Sequence, residues 1–520
     1  MALCDLEPKK KTQQSSQSRS AMRRRLQRRN RRVDHLECEN QKLWQTCQEL
    51  EKRLSDITSK LENAQAEVAR QLSVERNSSE PSVQRERPLP GHQFCLTSIA
   101  LSIELGKRVG FRAAADVMQT VFDMLKINMK VPSHDAIEQW TLRLGVASLK
   151  NPFRNGERVL WMVDHSSQIG KERLLLIVGV ALDDLPPPGQ TLTFEKLKVL
   201  AVVPGQSWKK EDVEREYLKL AHLIGAPVYL LSDGASELRE PAQKLEKDGQ
   251  PTIVLGDLKH HAANVLEKEV GRCPRFQSFM SQVGLTRNRV QQTELDQFSP
   301  PTLRTKSRFM NLAPLFTWSM MVLYHLKTPG SDSRIGISVE RMEAKLGWLR
   351  EYADDFRRWN QCQEVIDRSL SVINRQGLDG GTATLVDQSL REQNPNWRNE
   401  NSSATCIGVQ LIDWIEHSSS QLKVGERAWL STEILESLFG RFKQMERQHS
   451  KGGFTRLIAA LPTLCLRVTP ATVRDAFLRV DCKETQNWIQ ASLGSTLTAR
   501  RNAAYRESKA KSANHVVSTA

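Results

Sequence analysis

"APVYLLSDGASEL" (226–238) is an apolar run that stops at an acid, Asp233, with Gly234 placed to turn the chain sharply. Short apolar runs bounded by turn residues read as strands buried on both faces. The same pattern stands upstream in "ERVLWMVDHS" (157–166), a buried strand that ends at Asp164. Between the two lie "ERLLLIVGVALD" (172–183) and "KLKVLAVVP" (196–204), two further strands, and an amphipathic helix over 211–223. After Asp233 a helix (235–247) leads to "PTIVLGDLKHHAANVLEKEV" (251–270), a strand that ends at Asp257 and runs into a helix.

Three successive strands without a helix exclude a simple alternating βα wind. A mixed sheet with the first and fourth strands as neighbours sets Asp164 and Asp233 at adjacent strand ends. Two close carboxylates repel, and a divalent cation relieves the repulsion. A single Asp at a strand end is most often a turn residue or a helix cap. Two at adjacent strand ends make a candidate cation-binding pair. Asp257 either caps its helix or supports a site, and His260 either supports that site or lies idle on the surface. His165 and His261 adjoin these residues without an assigned role.

On these residues the chain resembles the RNase H-like DDE transposases of bacterial insertion sequences and Mutator-type elements. The resemblance covers about residues 155–270 and 425–445, and "DLKH" matches that family's C/D-x-x-H signature. It implies an α/β fold, an RNase H-like mixed sheet interrupted by a large helical insertion. It also implies a third acid on a late helix. In "STEILESLFGRFK" (431–443), Glu436 and Lys443 lie about 20° apart around a helix axis, and Glu433 sits at the edge of the apolar stripe of Ile434, Leu435, Leu438, Phe439 and Phe442. The family favours a Glu followed by a small and a bulky residue, with a base seven positions on, and "ESLFGRFK" fits. By resemblance Asp164, Asp233 and Glu436 are the catalytic, metal-binding triad, with Glu433 as the alternative third acid, Asp257 and His260 in support, and Lys443 on DNA. The implied cofactor is a pair of Mg²⁺ ions, or Mn²⁺ in their place. The implied activity is hydrolytic cleavage of a DNA strand, followed by in-line attack of the freed 3′-hydroxyl on target DNA.

Other segments fit around this core. "SRFMNLAPLFTWSMMVLYHLK" (307–327) is apolar nearly all round and predicts a buried helix, and 339–377 predicts a long amphipathic stretch ending at Gly377. Trp318, Trp348, Trp359, Trp397 and Trp414 read as core aromatics, with stacking on flipped bases as the alternative. In "GFRAAADVMQTVFDMLKINMKVPSHDAIEQWTLRLG" (110–145), a first helix carries Ala114, Val117, Val121 and Leu125 along one side. A second, capped by Ser133 and ended by Gly145, turns Ile137, Trp140 and Leu144 inward and His134, Glu138, Gln139 and Arg143 outward. That is the layout of a helix-turn-helix reader with Gln139 and Arg143 on DNA, and a plain helical hairpin fits as well.

The N-terminus is basic, with eleven Lys/Arg against two acids in residues 1–33. Arg23, Arg24, Arg25, Arg28 and Arg29 form its densest part and suit phosphate contact without base reading. Apolar residues then recur at 3,4 spacing through Leu36, Leu43, Leu50, Ile57 and Ala64 and through Val33, Cys47, Leu54, Leu61 and Val68, with Asn40 in the second series. Five heptads predict a coiled coil, and a buried Asn favours a parallel dimer. The expected organisation is a basic arm (1–33), coiled coil (34–72), linker (73–93), helix-turn-helix domain (94–150), first part of the catalytic core (155–270), helical insertion (271–425), last part of the core (426–500) and disordered tail (501–520).

Gross composition agrees. The net charge of +15 over 520 residues favours a polyanionic partner. No apolar run reaches membrane-spanning length, no signal core opens the chain, and nine scattered cysteines without a CxxC pair suit a reducing compartment. The expectation is a bacterial cytoplasmic, nucleoid-associated transposase, homodimeric through the coiled coil, acting on double-stranded DNA at element ends and target, with no membrane partner. The alternatives are a catalytically inactive, domesticated DNA-binding protein and an RNase H-like nuclease or resolvase.

Overall fold

The computed structural model describes residues 88–494, apart from 151, 154–155, 170–171, 248, 303–308, 310–311, 328–338 and 448–453, together with isolated helical positions among 48–59 and 502–506. The chain divides into two units, Met1–Arg85 and Glu86–Ala520. In the first, Gln48, Glu49, Lys52, Ser55 and Ser59 are helical and exposed, and all five lie off the two apolar series. The seam residues and the arginines at 23, 24, 25, 28 and 29 lie outside the described residues.

The second unit opens with α1 (Leu96–Val109), α2 (Phe111–Met124) and α3 (His134–Ser148). Ser133 caps α3 as expected, accepting from the Ala136 amide. Three expectations fail here. The buried stripe of α2 is Phe111, Ala114, Met118 and Phe122, and Val117, Val121 and Leu125 face outward. Both stripes are apolar, and the one with two phenylalanines removes more area from water on burial. Gly145 does not end α3, which runs on to Ser148. A Cβ at 145 would stand 1.8 Å from the Ala459 carbonyl oxygen, so this glycine lets two backbones meet. Glu138 and Arg143 are buried rather than outward. Glu138 takes a bidentate pair from Arg456, and Arg143 donates to the carbonyls of Val480 and Phe477 with its guanidinium over the Phe477 ring. The helical region 94–150 therefore shares a core with the C-terminal segment.

Next come β1 (Val159–Ile169), β2 (Glu172–Ala181), β3 (Lys198–Gly205), α4 (Lys210–Ile224), β4 (Tyr229–Ser232), α5 (Ser236–Ala242), a small hairpin of β5 (Glu246–Lys247) and β6 (Gln250–Pro251), and β7 (Ile253–Gly256). The five-stranded sheet has the order β3-β2-β1-β4-β7. Strands β2 and β3 are antiparallel to their neighbours, while β1, β4 and β7 are mutually parallel. This is the mixed sheet expected from the strand order, with the first and fourth strands side by side. Leu160, Met162, Leu174, Leu176, Tyr229, Leu231 and Leu255 face the larger helical layer. Trp161, Val163, Leu175, Ile177 and Leu230 face α4 and α5. Cover on both faces explains why "LLLIVGVAL" is apolar without alternation. No helix among the described residues is long and apolar enough to cross a membrane.

After β7 the chain is helical: α6 (Leu258–Leu266), α7 (Pro274–Val290), α8 (Ala313–Lys327), α9 (Val339–Leu346), α10 (Ala353–Gln376), α11 (Thr382–Gln393), α12 (Ser403–Ser420) and α13 (Glu433–Arg447). Phe276, Phe279, Tyr352, Phe356 and Trp359 meet edge-on or tilted at the heart of the inserted helices. Trp318, Trp359 and Trp397 are buried, Trp348 packs on Phe279, and Trp414 stacks on His261, so all five belong to the core. Helix α8 departs from expectation. Met320, Met321 and Tyr324 are exposed, so its apolar circumference is covered on one side only. The insertion closes where Leu378 bridges Ala428 and where the Leu258 amide donates to the Leu430 carbonyl at 2.9 Å. A buried ten-residue 3₁₀ segment (Arg456–Cys465), α14 (Pro470–Arg479) and α15 (Cys482–Leu493) complete the unit.

Candidate active site

The site grows from the parity of three parallel strands. In β1 Leu160 and Met162 face the larger helical layer, and Asp164 is next in that alternation. In β4 Tyr229 and Leu231 face the same way, followed by Asp233, and in β7 Leu255 is followed by Asp257. The register pairs Val163 with Ser232 and Ser232 with Gly256, so one further step aligns the three aspartates. They stand at the C-terminal ends of neighbouring parallel strands, where α/β sheets place their ligands.

Each acid is held differently. Asp164 is 6% exposed. Asp233 accepts from the Ala235 amide at 2.9 Å, a turn that needs Gly234 at φ +88°. Asp257 is almost wholly buried. One of its oxygens accepts from the His260 amide and pairs with His260 Nδ1, and the other accepts from the Thr432 amide and hydroxyl. Its own amide donates to the Ser232 carbonyl at 2.9 Å. Asp257 thus caps α6, and it also joins the end of β7 to the residue preceding α13. Burial opposes ionisation of Asp257, but His260 and Thr432 outweigh it and hold the carboxyl below its usual range. Burial alone would lower the His260 pKa. The hydrogen bond and charge of Asp257 raise it instead, and the charges of Asp233 and Asp164 add to the rise.

Helix α13 buries Leu435, Leu438, Phe439 and Phe442, with Ile434 half-buried, and carries Glu433 and Glu436 in its first turn. These acids do not turn to the aspartates. Lys259 of α6 reaches both, with Nζ 3.0 Å from Glu433 Oε1 and 3.3 Å from Glu436 Oε2. Asn374 donates to the other oxygen of Glu433 at 2.7 Å. Burial would lower the Lys259 pKa, and the charges of Glu436 and Glu433 raise it overall. Lys443 is half-buried two turns further along α13. On the opposite face of the sheet His165 meets Glu237 of α5 at 3.1 Å.

Asp164 and Asp233 offer hard oxygen donors side by side, which suits Mg²⁺. Among the described residues, no three His, Cys, Asp or Glu side chains form a metal-holding group. The two aspartates alone suit a divalent cation, and Glu433 and Glu436 are paired with Lys259. Of the sequence candidates, Asp164, Asp233, Asp257 and His260 come together, and Glu436 and Glu433 stand beside them behind Lys259. Arg143 is a buried structural residue, and Gln139 is half-buried beside Gln486. Sequence reasoning passed over Lys259, Thr432 and Asn374. Lys259 lies inside "DLKH", and Thr432 immediately precedes the acidic first turn of α13.

No family model matches the chain, and no curated protein matches it. A solved transposase complex is similar to it. That structure, "Drosophila P element transposase strand transfer complex", aligns with a TM-score of 0.40 and 13% sequence identity, covering 78% of this chain and 100% of that chain. A likeness at that level assigns neither fold nor activity.

Proposed function

We propose that this chain is a DDE-type transposase that cleaves DNA at the ends of a mobile element and joins them to target DNA. The observation that carries the reading is the placement of Asp164 and Asp233 on one sheet face, at the ends of adjacent parallel strands, with the acid-bearing α13 fastened alongside. Asp164, Asp233 and Glu436 would hold two Mg²⁺, with Glu433 as the alternative third ligand. Bound there, the ions would lower the pKa of a coordinated water and neutralise charge on a phosphodiester. In the first step a water oxygen bonds to phosphorus and the P–O3′ bond breaks, leaving a 3′-hydroxyl and a 5′-phosphate. That hydroxyl oxygen then bonds to a target phosphorus, and the target 3′-oxygen leaves. Asp257 orients His260 and α13 without touching the reacting atoms. Lys443 and the arginine-rich arm supply phosphate contacts, and the coiled coil pairs two protomers so that two ends can be held.

A second reading has one observation in its favour. Both acids of α13 are paired with Lys259 rather than turned to a metal, which suits a DNA-binding protein without catalysis. Incubating the protein with Mg²⁺ and duplexes that carry the DNA flanking its gene on either side separates the two. The transposase reading expects nicked and strand-transferred products that Asp164→Asn and Asp233→Asn abolish while DNA binding persists. Equal binding by all three proteins with no processing by any would refute it.

A further inference from the structure

Among the described residues, Lys259 is the cation that touches both candidate third ligands, and its side chain is 20% exposed. It is not free to meet DNA phosphate, because its ammonium is shared between Glu433 and Glu436. The contact is also built in. Asp257, two residues before Lys259, fixes the start of α13 through the Thr432 amide and hydroxyl, and the Leu258 amide holds Leu430. The ends of α6 and α13 are therefore zipped together by three successive α6-side residues. Asn374 fixes Glu433 from the other side, which leaves Glu436 the less restrained of the two. With the zip closed, no three acids converge as a metal-holding group among the described residues.

We infer that Lys259 is an internal counter-ion that competes with the divalent cation for the α13 carboxylates, keeping the centre incomplete until metal and DNA displace it. The inference rests on the transposase reading of Asp164 and Asp233. A cation beside the site works against a divalent ion in two ways: it occupies the carboxylate, and it repels the incoming charge. Lys259 is thus a positioning residue.

The test is Mn²⁺ binding to the full-length, DNA-free protein, followed by electron paramagnetic resonance, with hydrogen exchange on residues 431–447 alongside. Removing a half-exposed ion pair of this kind should tighten Mn²⁺ binding about fivefold in Lys259→Gln. Lys259→Arg should restore the wild-type affinity, and the first-turn amides of α13 should exchange faster in Lys259→Gln alone. Lys259→Met repeats the test with a different neutral side chain. Mn²⁺ binding that Asp233→Asn abolishes but Lys259→Gln leaves unchanged or weakens would overturn the inference and leave the transposase reading standing. Mn²⁺ binding indifferent to both Asp164→Asn and Asp233→Asn would overturn that reading and the inference with it.

Discussion

Asp257→Asn is the substitution that most directly tests how the two halves of the core are joined. The Asp257 carboxylate accepts from four groups: the His260 amide and Nδ1 on one oxygen, the Thr432 amide and hydroxyl on the other. Asparagine keeps the shape but turns one oxygen into an amide that faces a donor. Either Thr432 or His260 then loses its acceptor in a buried place, and the ion pair with His260 is gone. An unsatisfied buried donor costs about 1–3 kcal/mol and breaking a buried pair somewhat more, so a loss of about 2–4 kcal/mol is expected. The loss should depend on pH. Asp257 has a folded-state pKa below its ordinary 3.8, so its contribution is present above 3.8 and disappears as pH falls through the lowered value. His260 has a folded-state pKa above 6.5, so its contribution is present below 6.5 and disappears as pH rises through the raised value. The difference between wild type and variant should therefore be largest between those two pH values and shrink on both sides. Urea unfolding across pH measures it, and hydrogen exchange at 431–436 reports whether the start of α13 has come loose. An unchanged midpoint near pH 5, or α13 amides as protected as in wild type, would refute the clamp.

Other expectations follow from single contacts. Arg143→Leu leaves the Phe477 and Val480 carbonyls without their donor and should lower stability by about 2–3 kcal/mol. In the folded variant the salt dependence of DNA binding should stay the same, whereas loss of a phosphate contact would reduce the slope by about one. Gly145→Ala should lower the melting temperature, because a Cβ 1.8 Å from the Ala459 oxygen forces α3 off the 3₁₀ segment. The cost of about 1–3 kcal/mol or more outweighs the roughly 1 kcal/mol that alanine gains in a helix. Burial raises the Glu446 pKa to about 7, against hydrogen bonds from Thr455 that lower it. Its contribution is full below 4.5 and is lost as pH rises through about 7, so Glu446→Gln should flatten the decline of stability over that interval, as read by calorimetry.

The sheet was legible because both faces of it are covered. Runs such as "LLLIVGVAL" and "VYLLSD" are apolar without alternation, and acids can stand only where those runs end. The strand succession excluded a simple βα wind, and a mixed sheet with the first and fourth strands as neighbours puts Asp164 and Asp233 at adjacent strand ends. Helical faces were less legible. In α2 two apolar stripes compete, and only the partners α1 and α3 decide that Phe111, Met118 and Phe122 go inward. Arg143 falls on a polar-looking position of α3, but its partners are carbonyls more than three hundred residues away. A sequence window holds no sign of them. Gly145 reads locally as a stop, and its actual reason is a backbone contact with Ala459.

The same distinction explains the third acid. Within α13, periodicity can rank Glu433 and Glu436 by their angle to the apolar stripe, because that stripe is local. What the two carboxylates do depends on Lys259, 177 positions before Glu436 across the whole helical insertion. Carboxylates gathered from such distant segments repel one another unless a cation lies among them. Asp257 meets this with His260, and α13 meets it with Lys259. Lys259 and His260, neighbours inside "DLKH", thus face different acids, Lys259 the pair on α13 and His260 the carboxylate of Asp257. A motif read as a signature becomes, in the fold, a pair of side chains that hold Asp257 and the first turn of α13 in place.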